Sequence, residues 1–280
     1  MKNIHGVWLI LLAVTARGQF YYRDLAGTRE TSATMRRYLA AHVRQVSLTS
    51  YEPDGSVSEN FQVTQWVDPV KRTLITLTRS GITDQSELTS WFDPDGRLLK
   101  TADTSGGTLT TAVYAYDSRG NLASMQSYSG DTLKSGSETE VHLWSYDPSG
   151  RPLQMTQIVN GRDTTLYRFT LDGQGNVIQE TPSRQGKDGD PVYYYYDSQN
   201  RLSDIVRYNY KLKKLLPDYM FEYSPSNQVV QKITIPANYA SEYLIWRYQY
   251  DEKGLKTKEV CYNKDKQLTG RIEYTYQFAP

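Results

Sequence analysis

The sequence predicts an all-β fold, an antiparallel meander of about 16 to 18 strands built from repeated hairpins and curled into an open sheet or a barrel, with a short N-terminal helix. Three observations carry that prediction. A turn motif returns eight times down most of the chain, and the residues flanking it alternate between apolar and polar with the period of a strand. The apolar material is aromatic and β-branched, with 24 tyrosines and 5 tryptophans against 5 methionines, which favours sheet over helix.

In chain order, the first element reads as a leader. Lys2, the apolar run Val7 to Val14, and the small residues Ala16 and Gly18 have the pattern of a secretory signal peptide over residues 1–18, leaving Gln19 as the mature N-terminus. A transmembrane anchor needs roughly 18 or more apolar residues, about twice this run, so no membrane span is expected in the mature chain. No cysteine opens the mature chain to take a lipid. The mature chain then holds 30 basic and 31 acidic residues, which shows no footprint for nucleic acid. Cys261 is the single cysteine, so stability must come from packing and not from an intrachain disulfide. The expected location is the periplasm, the cell surface or the extracellular space.

Residues 19–41 form a short N-terminal segment, and the repeats fill about 42–280 as one domain. Within Thr31 to Val43, Met35, Leu39 and Val43 recur at helical spacing after possible caps Thr31 and Ser32, which favours a short packed helix over the alternative, an extended strand. Beyond it come the eight copies: "SYEPDGSV" (Ser50 to Val57), "WFDPDGRL" (Trp91 to Leu98), "YAYDSRGNL" (Tyr114 to Leu122), "WSYDPSGRPL" (Trp144 to Leu153), "FTLDGQGNV" (Phe169 to Val177), "YYYDSQNRL" (Tyr194 to Leu202), "FEYSPSNQV" (Phe221 to Val229) and "YQYDEKGLK" (Tyr248 to Lys256). From the second copy on, the Asp position recurs at gaps of 24, 30, 25, 25, 27 and 27 residues. Strands near Thr73 to Thr78 and Gln85 to Phe92 fill the interval between the first two copies.

Each copy is a turn with a mechanism. An acid or serine accepts from backbone amides, Pro53, Pro94, Pro148 and Pro225 preset φ, and three residues past the Asp position stands Gly55, Gly96, Gly120, Gly150, Gly175, Asn200, Asn227 or Gly254. Glycine and asparagine enter the left-handed region most cheaply, so these eight are the structural turn residues. Before the turn, pairs such as Tyr114 and Tyr116 or Tyr248 and Tyr250 share one face, while Ala115, Ser145, Thr170, Glu222, Gln249 and Thr275 make the other face wet. After it, Leu153, Met155 and Val159, or Val229, Ile233 and Ile235, continue the alternation. Between copies, "VNGRD" is a tight hairpin signal, and "SGDTLKSGSETE" and "RQGKDGDP" read as longer loops. Charged residues within short apolar runs argue against a membrane-spanning barrel.

The recurring pattern resembles the YD repeat of the RHS family, most fully in "YAYDSRGNL", "WSYDPSGRPL" and "YYYDSQNRL", and covers roughly Ser50 to Gln277. Leu171 departs from it in the Tyr position, Ser224 in the Asp position, and Asn200 and Asn227 in the Gly position. In large members of that family the repeats wind a sheet into a shell that can enclose a C-terminal toxin. This chain is too short for such a shell and carries no toxin after its last strand, so the resemblance implies architecture alone. It also looks like short secreted YD-repeat proteins of Gram-negative envelopes, some of which resemble soluble barrels of porin-like shape.

Motifs for chemistry are sparse. His42 and His142 are the mature histidines and belong to no paired metal motif, and no nucleophile elbow or phosphate loop occurs. "GQGN" at Gly173 to Asn176 coincides with a repeat turn, and Cys261 reads as a small apolar strand residue. Asp93 with Asp95, and Asp188 with Asp190, place carboxylates two apart beside glycine, but lack the later bidentate acid of a calcium loop. The basic run Lys211, Lys213, Lys214 reads as a solvated loop. No metal or cofactor is expected.

The favoured expectation is a non-enzymatic exported scaffold or interaction module, with an unidentified protein or glycan as partner. The alternative is a carbohydrate-binding protein that stacks sugars on Trp91, Trp144 and Trp246. A hydrolase stands last. Tyrosines protected across the sheet favour the first, exposed indoles the second, and a buried His and carboxylate pair in one cleft the third.

Overall fold

The computed structural model describes residues 19–59, 61–80, 84–131, 137–235 and 242–280. The expected signal peptide and the centre of the "SGDTLKSGSETE" loop lie outside the described residues. The chain is an antiparallel meander closed into an 18-strand barrel with one short N-terminal helix. Consecutive staves pair with each other, and the first strand, Val43–Tyr51, pairs with the last, Leu268–Phe278, from Val43 opposite Phe278 to Tyr51 opposite Arg271. Closure satisfies the edge amides and carbonyls that an open meander would expose. One stave is broken: Lys187–Asp188 and Val192–Tyr196 both pair with Val177–Arg184.

Following the pairing round the barrel gives two rims. Seven of the eight motif copies, with Asp or Ser at 93, 117, 147, 172, 197, 224 and 251, turn at one rim, joined there by the Asp68 to Arg72 turn. The first copy turns at the opposite rim. So does a further turn of the same form, Asn263 to Gln267, which sequence reading missed because Lys266 holds the left-handed position at φ +60°. The local chemistry is identical; the direction of the incoming strand decides the rim. All eight predicted turn residues have φ between +62° and +89°.

The motif spells out a ladder. Asp117 Oδ1 accepts from Arg119 N and Asn121 N, and Asp93, Asp147, Asp172, Asp197 and Asp251 repeat that pair of bonds. A bulge beside each turn puts the motif Tyr, or Phe92 or Leu171 in its place, opposite the first residue of the next strand. The Tyr hydroxyl then reaches back to the preceding repeat: Tyr116 donates to Leu98 O, Tyr146 to Leu122 O, Tyr196 to Val177 O, Tyr223 to Leu202 O, Tyr250 to Val229 O and Tyr276 to Lys256 O, at 2.7 to 2.9 Å. The residue after the glycine links turn to turn, as when Arg201 donates to Ser224 O and Asn176 to Asn200 Oδ1. The same bulge corrects the alternation expected after the turn. Met155 points inward and is fully buried, but Leu153 is turned outward and exposed.

The helix is longer than the sequence indicates. A π-helical turn, Tyr21–Ala26, runs directly into an α-helix, Gly27–Ala40. Thr31 and Ser32 therefore lie inside it and cap nothing: Thr31 Oγ1 donates to Gly27 O, and Ser32 Oγ accepts from Leu98 N. Val43 opens the first strand. The segment packs Phe20 and Leu25 against Trp144, Phe169 and Tyr194 on one side, and Met35 and Tyr38 against Val46, Val67 and Ile272 on the other. A single helix touching staves all round a closed barrel lies within it. Arg36 against Gly96 and Arg37 against Gly254 place its C-terminal half beneath the YD rim.

Candidate functional site

The polar groups buried deepest in the molecule lie where this internal helix meets the wall. His142 is fully buried, with Nδ1 2.6 Å from Asp24 Oδ2 on the helix and Nε2 2.7 Å from Glu140 Oε1 on its own strand, Ser137–Tyr146. Trp144 Nε1 donates to the same Asp24 oxygen at 3.2 Å, Gln157 Nε2 donates to Glu140, and Tyr167 OH donates to Gln157. Burial opposes the charged imidazole, but the hydrogen bonds to Asp24 and Glu140 outweigh it and push His142 up to about 9. The hydrogen bond from His142 in turn holds Glu140 below its ordinary value.

A second joint fixes the start of the helix. Glu180, fully buried, accepts from Phe20 N at 3.1 Å, Tyr21 N at 3.0 Å and Tyr194 OH at 2.7 Å, taking the helix amides that no side-chain cap serves. Burial raises its carboxyl above the usual range. Gln19 Nε2 and Arg207 Nε both donate to Asp218 Oδ2 at 2.5 Å. Farther round, Lys232 lies over the rings of Tyr219 (4.7 Å), Phe221 (5.8 Å) and Tyr22 (6.0 Å), and burial pulls it down to about 8.

The structure does not bring the three expected stacking tryptophans together. Trp144 is buried under the helix and stacks on Phe169, with centroids 5.2 Å apart. Trp91 faces outward, with Lys100 over its ring at 5.2 Å. Trp246 stands opposite Lys232 and Cys261 in the inward register. Sequence reading missed Trp66, which is exposed on the outer face in a shallow groove of about 220 Å³ with Gln62, Thr64, Leu77 and Arg79. The alternation in "QVTQWVD" marks Trp66 and Val67 for opposite faces, and this signal was available.

Other candidates resolve into structure. Asp93 is held by its own turn amides and Arg97, Asp95 pairs with Arg97, Asp188 pairs with Arg168, and Asp190 accepts from Tyr210 OH. "GQGN" is a turn, and Gly173 lacks the positive φ that Gly175 has. Cys261 is buried, and burial pushes its thiol up to about 11.

No protein-family model matches the chain, and no curated protein sequence matches it. Among solved structures it is similar to a chain of the Tc holotoxin pore of Photorhabdus luminescens, at 16% identity over 77% of this chain and TM-score 0.34. It is also similar to a chain in a crystal structure of TcdB2, TccC3 and Cdc42, at 17% identity over 77% of this chain and TM-score 0.34. This chain spans 11% of the length of each of those two. A third neighbour is a porin-like protein from Bacteroides uniformis, at 12% identity over 85% of this chain and 97% of that one, with TM-score 0.41. No helix among the described residues is long and apolar enough to cross a membrane.

Proposed function

We propose that the mature chain is a non-enzymatic, exported scaffold or interaction module of the cell envelope or surface, built from RHS-type YD repeats. The observation that carries this reading is the use made of the inner aromatic face. Trp144, Phe169, Tyr194 and Phe221 pack on the protein's own helix, so the rings act as core and offer no open platform. The buried His142 and Asp24 pair is the feature that would favour a hydrolase, and its bonding weighs against that use. His142 and two carboxylates form the kind of cluster a hydrolase uses, but both imidazole nitrogens are engaged, and neither is left to take a proton from a nucleophile.

Carbohydrate binding is the second reading, and the outer groove at Trp66 favours it. An exposed indole beside Gln62, Thr64 and Arg79 combines a stacking face with hydrogen-bonding groups for hydroxyls. A glycan array on residues 19–280, followed by tryptophan fluorescence, separates the two readings. The scaffold reading predicts no saturable binding. Binding with a spectral shift that Trp66→Ala or Trp91→Ala abolishes would replace it with the sugar-binding reading.

A further inference from the structure

We propose that the hairpin tip centred on Tyr210 is a surface anchor that seats the barrel on an anionic lipid bilayer. The tip joins the strands Leu202–Asn209 and Lys214–Tyr223 at the rim away from the YD turns. It presents Tyr210, 65% exposed, and Leu212, 49% exposed, among Lys211, Lys213 and Lys214, all exposed. Among the described residues none of these lysines has an ion-pair partner, whereas the acids on the adjoining stave are engaged, Asp188 by Arg168 and Asp190 by Tyr210. Three positive charges within four residues stand out on a chain whose mature balance is close to neutral.

The apolar part of the surface continues down the outer wall. Tyr208 lies directly opposite Leu215, and Tyr195 and Met220 are both partners of Asp204; all four are exposed. Other exposed apolar side chains, among them Val113, Leu143 and Ile178, are spread over the outer wall; this group is the one that adjoins Lys211, Lys213 and Lys214. The tip is also pre-ordered. The Tyr208 and Tyr210 rings meet edge to face at 5.0 Å, and Leu212 N donates to Asn209 Oδ1 at 2.9 Å. Tyrosine rings suit the headgroup layer, an exposed leucine suits the acyl boundary, and lysines on the same tip meet lipid phosphates. A second copy of the chain fits this surface poorly, because a two-fold contact centred on the tip sets lysines against lysines. Seating the tip on a bilayer leaves the C-terminal half of the internal helix, which lies beneath the YD rim, undisturbed.

The test is co-sedimentation of residues 19–280 with phosphatidylcholine vesicles and with vesicles that also contain phosphatidylglycerol, at low and high salt. The expected result is salt-sensitive binding to the anionic vesicles alone. The triple change Lys211→Glu, Lys213→Glu, Lys214→Glu should weaken it about tenfold or more, with an unchanged melting temperature. Tyr210→Ser with Leu212→Ser should weaken it as well, which a purely electrostatic contact would not show. Absence of binding, or equal binding to neutral vesicles, overturns the proposal. So does a concentration-dependent dimer that Leu212→Ser dissociates, which would assign the surface to a second copy.

Discussion

The rim above the helix and the rim away from it join the same staves, yet the turns of the first are far more uniform than those of the second. Above the helix, seven turns share one geometry, and tyrosine hydroxyls at five of them, with Arg and Asn side chains, tie repeats to their neighbours. At the far rim the connections vary: Asn160 and Gly161 both take positive φ in a three-residue turn, Gly106 and Gly107 do so in a two-residue one, Glu52 to Ser56 and Asn263 to Gln267 keep the YD form, and Tyr210 to Lys213 form a wider one. The turn form itself does not need the helix; what belongs to the rim above it is the set of bonds from turn to turn and from tyrosine to preceding repeat.

That contrast makes graded predictions. The largest effect belongs to the joint between helix and wall. His142→Ala leaves the buried Asp24 carboxylate without its charged partner, beside a part-exposed Glu140, and should cost about 3 kcal/mol, read by chemical denaturation. Proteolysis within residues 20–40 should quicken in parallel. An unchanged midpoint would show that the helix is a passenger.

The same joint sets a pH dependence. His142 is held at about 9 in the fold against roughly 6.5 in the unfolded chain. Its contribution is fully present below about pH 6.5 and is lost as pH rises through about 9. Glu140, held low, acts in the opposite direction: its contribution is present above its unfolded value and is lost as pH falls through the folded one. Melting curves for the parent and His142→Gln should therefore converge on the alkaline side; parallel curves would remove His142 as the cause.

Next come the turns. Gly120 at φ +82° has Arg97 Nη1 3.3 Å from where a Cβ would stand, so Gly120→Val should cost about 1 to 3 kcal/mol. Tyr196→Phe removes one inter-repeat hydrogen bond and should cost about 1 kcal/mol. At the far rim, Lys213→Ala should change stability by less than about 0.5 kcal/mol. A larger loss there than at Tyr196, measured in the same denaturant series, would erase the contrast between the rims.

How much of this was readable in the chain follows the same division. The meander, the helix and the left-handed turn positions were legible because local chemistry repeats them. The rim of each turn was not, since "SYEPDGSV" is locally the same as the copies on the other side. The helix start was hidden because "FYYRDLA" looks like strand material, and its amides are served by Glu180, 160 residues away from Phe20. The Asp24 and His142 contact spans 118 residues and leaves no local mark. Trp144 was read for its ring, while its partners, the indole acceptor Asp24 and the stacked Phe169, appear only once the barrel encloses the helix.

Pairing between the first and last strands imposes an order of events on folding. Val43 meets Phe278 across almost the whole chain, so the barrel closes only after its final strand exists, a contact of very high sequence separation. Until then two strand edges stay open to pairing with other chains. The seam is therefore the point at which a nascent chain is most exposed to misassembly, and a holding chaperone would act before that pairing forms.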